Sequence, residues 1–477
     1  MNPGPQTPTE RRTLLGATSG LAVKIKLLLA ILMVLTAVAT YTGRFPMETG
    51  VDFYHVWGIT AASKWHGEQL GSPYRDLKLY EDTLNRTADA SRDDHFKVAN
   101  KRRRAIDPTG TPLFYSMFSF LPRDYSAAHT IFRALQIATF IAGVVICLSL
   151  LGYGLLDGLI VGSVFAIHFT PISVDLQVGN VNALQFFAAA VLLMLAVKNI
   201  SRGEGARLGP AGYAFFFGLA WFVLFKPNYL PLAVLLAIYV WVRRGASAFF
   251  KGCAAGLVST ALLVAITSLY FHDGAVWQDW YSYLYGDNKL KLISYPIEKG
   301  NFASPVVGAA ILERLLGRPT ISPYTFSAIL GALCLLSVAA ILPRRARSWR
   351  RPDLLEAARD ILCDPYIVAS LGVLITLAAA PLGWAHYHLL VLIPAFWLLF
   401  VGERWNLWSL VALVSFCLYM GNLYFLLMTL SMKAWGASTT ELCMIPLRSF
   451  AWLGLWIPML VSISRPRSPT EHDSQGS

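Results

Sequence analysis

Charged residues are scarce in this chain, 14% of 477 against 55% hydrophobic, with a mean hydropathy of +0.51. Soluble domains carry about a quarter charged residues, so this scarcity excludes an ordinary soluble globular protein. Acidic residues are the rarer sign, 28 Asp and Glu against 40 Lys and Arg, for a net charge of +12. The excess does not point to nucleic acid. Many of the basic residues sit in short loops at the ends of apolar runs, which is the orientation signal of a multi-spanning membrane protein. Cysteine is sparse too. Cys147, Cys253, Cys334, Cys363 and Cys417 fall inside apolar runs or on the predicted inner side and Cys443 outside, which indicates neither a structural disulfide nor a metal cluster. No small-residue cleavage site leading to a soluble domain follows the first apolar run, so it reads as a retained helix. Lys24 and Lys26 separate Arg11-Arg12 from that run, and the arginine pair reads as a basic tail rather than a twin-arginine export signal.

What the chain has is apolar sequence in lengths that cross roughly 30 Å of hydrocarbon. The pattern predicts an all-α polytopic integral membrane protein with about twelve spans, near 24–43, 126–151, 155–170, 181–199, 211–225, 228–242, 247–271, 322–342, 363–380, 387–401, 406–430 and 447–464. The runs 211–225, 228–242 and 387–401 are short for a crossing and suggest broken or half-buried helices around a site. Lys198, Arg202 and Arg207 share the side of Lys24 and Lys26, as do Arg243, Arg244, Lys251, the arginines of 344–351, Arg404, Arg465 and Arg467. Both termini are therefore expected in the cytoplasm, with tails at 1–23 and 465–477 flanking a transmembrane unit at 24–464. The opposite, external face then holds two long segments, 44–125 and 272–321. Phe53, Val56, Trp57 and Ala61 make a stripe at helical spacing, as do Leu113, Phe114, Met117 and Leu121, and Trp277, Trp280, Tyr281 and Tyr285 cluster. These stretches read as interfacial helices or as a compact cap with its own core. The basic run Lys101-Arg102-Arg103-Arg104 lies in a long segment exempt from the orientation rule, and reads as solvated or as a headgroup contact.

Polar residues gather at the external ends of the spans. Asp52 follows the first span by about ten residues. Pro171–Asn182 follows the third span, Lys226-Pro227-Asn228 the fifth, and Pro381–His388 the ninth, while Gly300-Asn301 lies in the second long segment. A carboxylate, a lysine, two histidines and several amides at one membrane depth cost free energy unless they face a cavity or pair with one another. Lys226 faces a phosphate or snorkels outward as an anchor. His386 and His388, two residues apart, lack the i,i+3 or i,i+4 spacing of a helical ligand pair and have no third ligand, so no metal is expected. They read as hydrogen-bond donors to an anion or as satisfied interfacial histidines. Asn180 and Asn182 cap the fourth span or contact sugar. Glu48, Glu68, Asp76, Asp107, Asp175, Asp273, Asp279 and Asp287 share the external face and compete with Asp52 for the role of essential carboxylate.

In order and sidedness these pieces resemble glycosyltransferase family 87, polytopic enzymes of the GT-C class that use polyprenyl-phosphate sugars. The resemblance covers roughly 25–465. It is carried by Asp52-Phe53, Gly67, Pro73-Tyr74, Pro112, Tyr115, Leu121-Pro122, Gly179-x-x-Asn182, Lys226-Pro227, Gly300-Asn301 and Pro381-x-x-Trp384-x-His386. The chain departs from the family pattern at Asn301-Phe302-Ala303-Ser304, and in an unusually polar, basic stretch at 75–107. The resemblance implies an inverting hexosyl transfer, mannose in the family, from a polyprenyl-phosphate donor to a glycolipid or glycan acceptor on the external face of the plasma (inner) membrane. Asp52 would be the general base. Lys226 and His386, with His388, would neutralise the departing phosphate. Tyr54, Trp57 and Trp384 would stack on sugar faces, and Asn180, Asn182 and Asn301 would bind sugar or acceptor. The scheme requires no nucleotide, cofactor, metal or nucleic acid. Two alternatives are a transporter or flippase of lipid-linked sugars, which should show paired broken helices in related halves, and another membrane lipid-modifying transferase.

Overall fold

The computed structural model describes residues 20–44, 50–103, 106–200, 208–286, 303–317, 321–380, 383–401, 406–420, 426–427, 429–431, 433 and 444–465. Their regular secondary structure is helix, without a β-strand among the described residues, where one β-bridge joins Phe169 and Met420. In chain order the helices are α1 (Gly20–Arg44), α2 (Val51–Leu70), α3 (Leu77–Ala90), α4 (Asp94–Arg103), α5 (Pro112–Ser116), α6 (Tyr125–Leu150), α7 (Leu155–His168), α8 (Thr170–Val178) and α9 (Asn182–Leu195). They continue with α10 (Pro210–Phe225), α11 (Leu230–Arg244), α12 (Ala246–Tyr270), α13 (Val276–Tyr285), α14 (Ser304–Leu316), α15 (Pro323–Ala346), α16 (Arg351–Leu362), α17 (Pro365–Ala379), α18 (Leu392–Phe400), α19 (Leu407–Cys417) and α20 (Leu453–Ser464).

Local sequence sets several of the starts. Asp124, Ser322, Asp364 and Asn406 accept backbone N–H bonds at the heads of α6, α15, α17 and α19, and Pro323 and Pro365 open two of these helices. A side-chain oxygen there satisfies amides that have no partner within the helix, and proline loses nothing at a first turn. Each expected span contains helix, and among the described residues five helices are long and apolar enough to cross a membrane. These are Ala22–Thr40, Tyr125–Leu150, Ala246–Tyr270, Pro323–Ala346 and Met444–Ser464, or six if the bent pair α16–α17 counts as one. Helices such as the 15-residue α11 reach only about 22 Å against roughly 30 Å of hydrocarbon. Breaks at Gly179, Lys226-Pro227 and Asp364-Pro365 stop them. The protein is a multi-pass membrane protein whose interior holds many short, interrupted helices.

Two apolar cores result. The larger lies among the bundle helices and is centred on α17, which is buried along almost its whole length. Gly372 lets α11 approach closely there: a Cβ at that position would stand 2.6 Å from the Leu232 Cα. The second core belongs to α2–α5 and the first turns of α6, and answers the question left by the apolar stripes. Phe53, Val56, Trp57 and Ala61 point into it, with Tyr80, Leu84, Phe118, Tyr125 and Phe132, so 50–103 and 106–125 form a compact cap. Val181, Leu184 and Phe225 of the bundle complete the same core, which seats the cap on the α8–α9 and α10–α11 corners. The segment after α12 closes over it. Arg75 meets Asp273 at 2.8 Å, Asp76 at 3.2 Å and Asp279 at 3.3 Å, and the Tyr270 hydroxyl donates to the Thr60 carbonyl at 3.1 Å.

Candidate active site

Asp52 sits in the first turn of α2, where a carboxylate is favoured by the amide ends of the helix. The next residue, Phe53, is fully buried against Tyr125, His129 and Phe132 of α6, which pins that turn. Gly179 ends α8 in the left-handed region, φ +71°, and a Cβ there would lie 2.4 Å from the Phe53 Cβ. Only glycine meets both demands, and the result is that Asn180 rests against Asp52. The Asn180 Nδ2 donates to the Asp52 carboxylate at 2.5 Å. Its Oδ1 accepts from the Val181 amide at 2.7 Å and from Lys226 Nζ and Asn182 Nδ2 at 3.1 Å each. Three donors around the oxygen fix which way the amide faces.

Lys226 ends α10 in an extended conformation ahead of Pro227 and turns inward rather than snorkelling. Its ammonium donates to Asn182 Oδ1 at 2.8 Å as well as to Asn180, and stands 4.4 Å from the centre of the Tyr387 ring, a cation–π distance. Two of its three N–H groups are thereby engaged. The lysine makes no direct ion pair with Asp52, because the Asn180 amide lies between them. Beneath this line Asp175 is fully buried and receives the Asn182 amide and side chain, the Ala183 amide and Gln136. Asp175 thus caps the head of α9. Asn180 and Asn182, one alternative for that job, hold the lysine instead.

The remaining expected residues divide. His386 is buried, 4% exposed, lies within electrostatic reach of Lys226, and has no hydrogen-bond partner for either ring nitrogen. Its turn, Ala385–Val391, is tied to the Lys226 corner by the Tyr229 hydroxyl, which donates to the Tyr387 carbonyl. Half-buried Trp384 lies parallel to the His386 ring at 6.5 Å. His388 turns away, its ring 5.2 Å from Tyr419 and facing Arg448, so the two histidines do not meet one point. Tyr54 and Trp57 require a correction. Trp57 is 1% exposed, wedged edge-on among Trp65, Phe96 and Tyr125, with its Nε1 bonded to the Pro122 carbonyl. Tyr54 is 2% exposed and bonded to Asn100. Neither ring offers a free face for a sugar, because both fill the cap core. Asn301 lies outside the described residues; nearby Ser304 is buried and bonded to the Ser449 carbonyl and Trp452.

Of the rival carboxylates, Asp76, Asp273 and Asp279 are taken by Arg75 and Asp175 by capping. Glu48 and Asp287, like the Glu68 side chain, fall outside the description. Asp107 stands with Asp52. It is half-buried, its amide donates to His55 Nδ1 at 3.3 Å, and it bears electrostatically on Asp52 together with Arg103. Burial raises the Asp52 pKa above the ordinary aspartate value, opposed by the Asn180 bond and then by Lys226. Burial likewise lowers His55 to about 4, assisted by Arg103, so that imidazole is neutral and accepts from Asp107. The roles of Arg103, Gln136 and Tyr387 were not visible in the sequence. Gln136 alone carried a signal, an amide in the middle of an apolar helix. Among the described residues no group of three His, Cys, Asp or Glu is placed to hold a metal ion.

A multi-pass helical membrane protein with a carboxylate, a bridging amide and a lysine in one half-buried corner is the class that the fold and site define. The model of glycosyltransferase family 87 matches residues 107–364, more than half of the chain, and the protein belongs to that family. It is a membrane glycosyltransferase. The matched stretch contains Asp107, Asp175, Asn180, Asn182 and Lys226, while Asp52 and His386 lie beyond its two ends. No curated protein and no solved structure matches the chain.

Proposed function

We propose that the protein transfers a hexose, mannose by family resemblance, from a polyprenyl-phosphate donor to a hydroxyl of a glycolipid or glycan acceptor, with inversion. The observation that carries this reading is the Asn180 amide, which donates to Asp52 and accepts from Lys226. A base and a cation held on either side of one amide suit a displacement in which one group takes a proton while the other meets a leaving anion. The acceptor oxygen attacks the anomeric carbon opposite the phosphate. Asp52 takes the hydroxyl proton as the bond forms, and a raised pKa makes it a better base. The bond from anomeric carbon to phosphate oxygen breaks, and the phosphate leaves with the electron pair. Lys226, with one N–H uncommitted, and the unpartnered His386 neutralise it. Trp384 is the aromatic surface left for the sugar.

The arrangement of basic residues supports an external site. α11 follows Lys226 at one end and finishes at Arg243 and Arg244 at the other. α15 and α20 finish together on that far side, where Arg345 donates to the Ile463 and Arg465 carbonyls. Lys26 pairs with Asp157 at 2.8 Å beside the first turn of α7, which leads toward α8 and the site. With cations on the cytoplasmic side, Asp52 faces outward. The test is a reconstituted transfer assay with synthetic polyprenyl-phosphate-mannose and a panel of glycolipid acceptors. Asp52→Asn should bind donor and lose turnover, and full turnover would remove the general-base role. Lys226→Ala should weaken donor binding, and unchanged donor affinity would remove it from the phosphate site.

A further inference from the structure

The end of the bundle away from the site carries a feature the transfer reaction does not use. α16 buries Ala357 and Ile361 against the bundle, 5% and 2% exposed, and turns Arg351, Leu355 and Arg359 outward at successive i,i+4 positions. Asp364 accepts the amides of Tyr366 and Ile367 to start α17, Pro365 opens that helix, and the axis turns through 87° between α16 and α17. Since α17 runs through the middle of the bundle, α16 lies across its end, the attitude of a helix in a headgroup plane.

The surroundings of α16 are strongly cationic. Arg344, Arg347, Arg350, Arg351 and Arg359 are exposed and make no ion pair among the described residues, against three acids of the helix: Asp353, Glu356 and Asp360. Arg345 is the contrast: its side chain is 7% exposed and is spent on Asp360 and on the last carbonyls of α20. Beside the free guanidinium groups stand Trp349, 83% exposed, and Leu355, 61% exposed. In water such a patch is costly. At a bilayer surface an indole sits at headgroup level, leucine reaches the acyl boundary and guanidinium forks take phosphate oxygens.

We propose that α16 and the preceding segment Arg344–Arg350 form a binding surface for anionic phospholipid headgroups in the leaflet opposite the active site. The net cationic charge selects an anionic over a zwitterionic lipid, because only the former adds a field that attracts each arginine. The proposal does not depend on the identity of the donor or acceptor.

The experiment uses the full chain in membranes of equal phosphatidylcholine and phosphatidylglycerol, with the lipids that remain bound after extraction counted by mass spectrometry. The wild type should retain phosphatidylglycerol preferentially. In Arg350→Gln/Arg351→Gln/Arg359→Gln the preference should fall about five-fold per charge removed. The matching triple lysine variant should keep most of it, which separates lost charge from lost fold. Equal preference in the glutamine triple variant and the wild type would overturn the proposal. So would displacement of the bound lipid by inorganic phosphate, which would mark a free-phosphate site. Capture of soluble polyglutamate without lipid preference would also overturn it, in favour of an acidic protein partner. Turnover in pure phosphatidylcholine should be the same for all three proteins.

Discussion

Replacing Asn180 by Ala breaks the site at the group that joins its two charges. The side-chain amide donates to Asp52 at 2.5 Å and accepts from Lys226 at 3.1 Å, so both ends lose a partner at once. A hydrogen bond to a charged group contributes about 1.5–3 kcal/mol. Without it the ionised form of Asp52 is less favoured, and burial, already the largest influence on that carboxyl, moves its pKa further upward. The base works only when ionised, so the acid limb of the pH–rate profile should move to higher pH. On that limb turnover should fall roughly 10- to 150-fold, the rate equivalent of the lost bond. Asn182→Ala is the control: it removes a 2.8 Å contact to Lys226 and leaves the Asp52 bond in place. Its donor affinity should weaken without a comparable shift of the acid limb. The assay is turnover against pH in reconstituted membranes at saturating donor and acceptor. An Asn180→Ala profile that overlays the wild type would refute the bridge as the device that tunes Asp52.

Other perturbations follow from the same geometry. Arg103 favours ionised Asp52 and Asp107 opposes it, so Arg103→Gln should shift the acid limb upward and Asp107→Asn downward; shifts of the same sign in pH–rate measurements would contradict this assignment. Gly179→Ala places a Cβ 2.4 Å from that of Phe53 in a left-handed conformation, and should cost at least about 1–2 kcal/mol with loss of activity. Thermal unfolding in detergent together with turnover measures it, and a variant indistinguishable from wild type in both would show that the corner yields freely. Arg75→Ala leaves Asp273 and Asp279 without their shared cation, and because the guanidinium is open to solvent the loss should loosen that segment locally without unfolding the bundle. The readout is faster proteolysis of the segment after α12 with the bundle intact, and an unchanged cleavage rate would deny the clasp.

Reading the chain before its structure already supplied the membrane class, because apolar length and scarce charge depend on composition along the chain. It also supplied Asp52, Lys226 and His386 as polar residues at the ends of apolar runs. It misjudged Trp57 and Tyr54, since a stripe at helical spacing looks the same whether it meets lipid, sugar or a protein core. Hydropathy alone marked 211–225, 228–242 and 387–401 as short for a crossing, and the structure shows the helices there interrupted, at Lys226-Pro227 between α10 and α11 and by the turn Ala385–Val391 before α18.

What the sequence alone determined, then, is which residues are polar among apolar neighbours and which ends of the spans carry cations. The tertiary structure decided which of them meet. Asp52, Asn180 and Lys226 are 46 to 128 positions apart where they bond, and Arg75 and Asp279 are 204 apart. Pairing at such range rests on helix packing and on one left-handed corner at Gly179. A periodic apolar pattern tells a residue which way to face, but not what it will face.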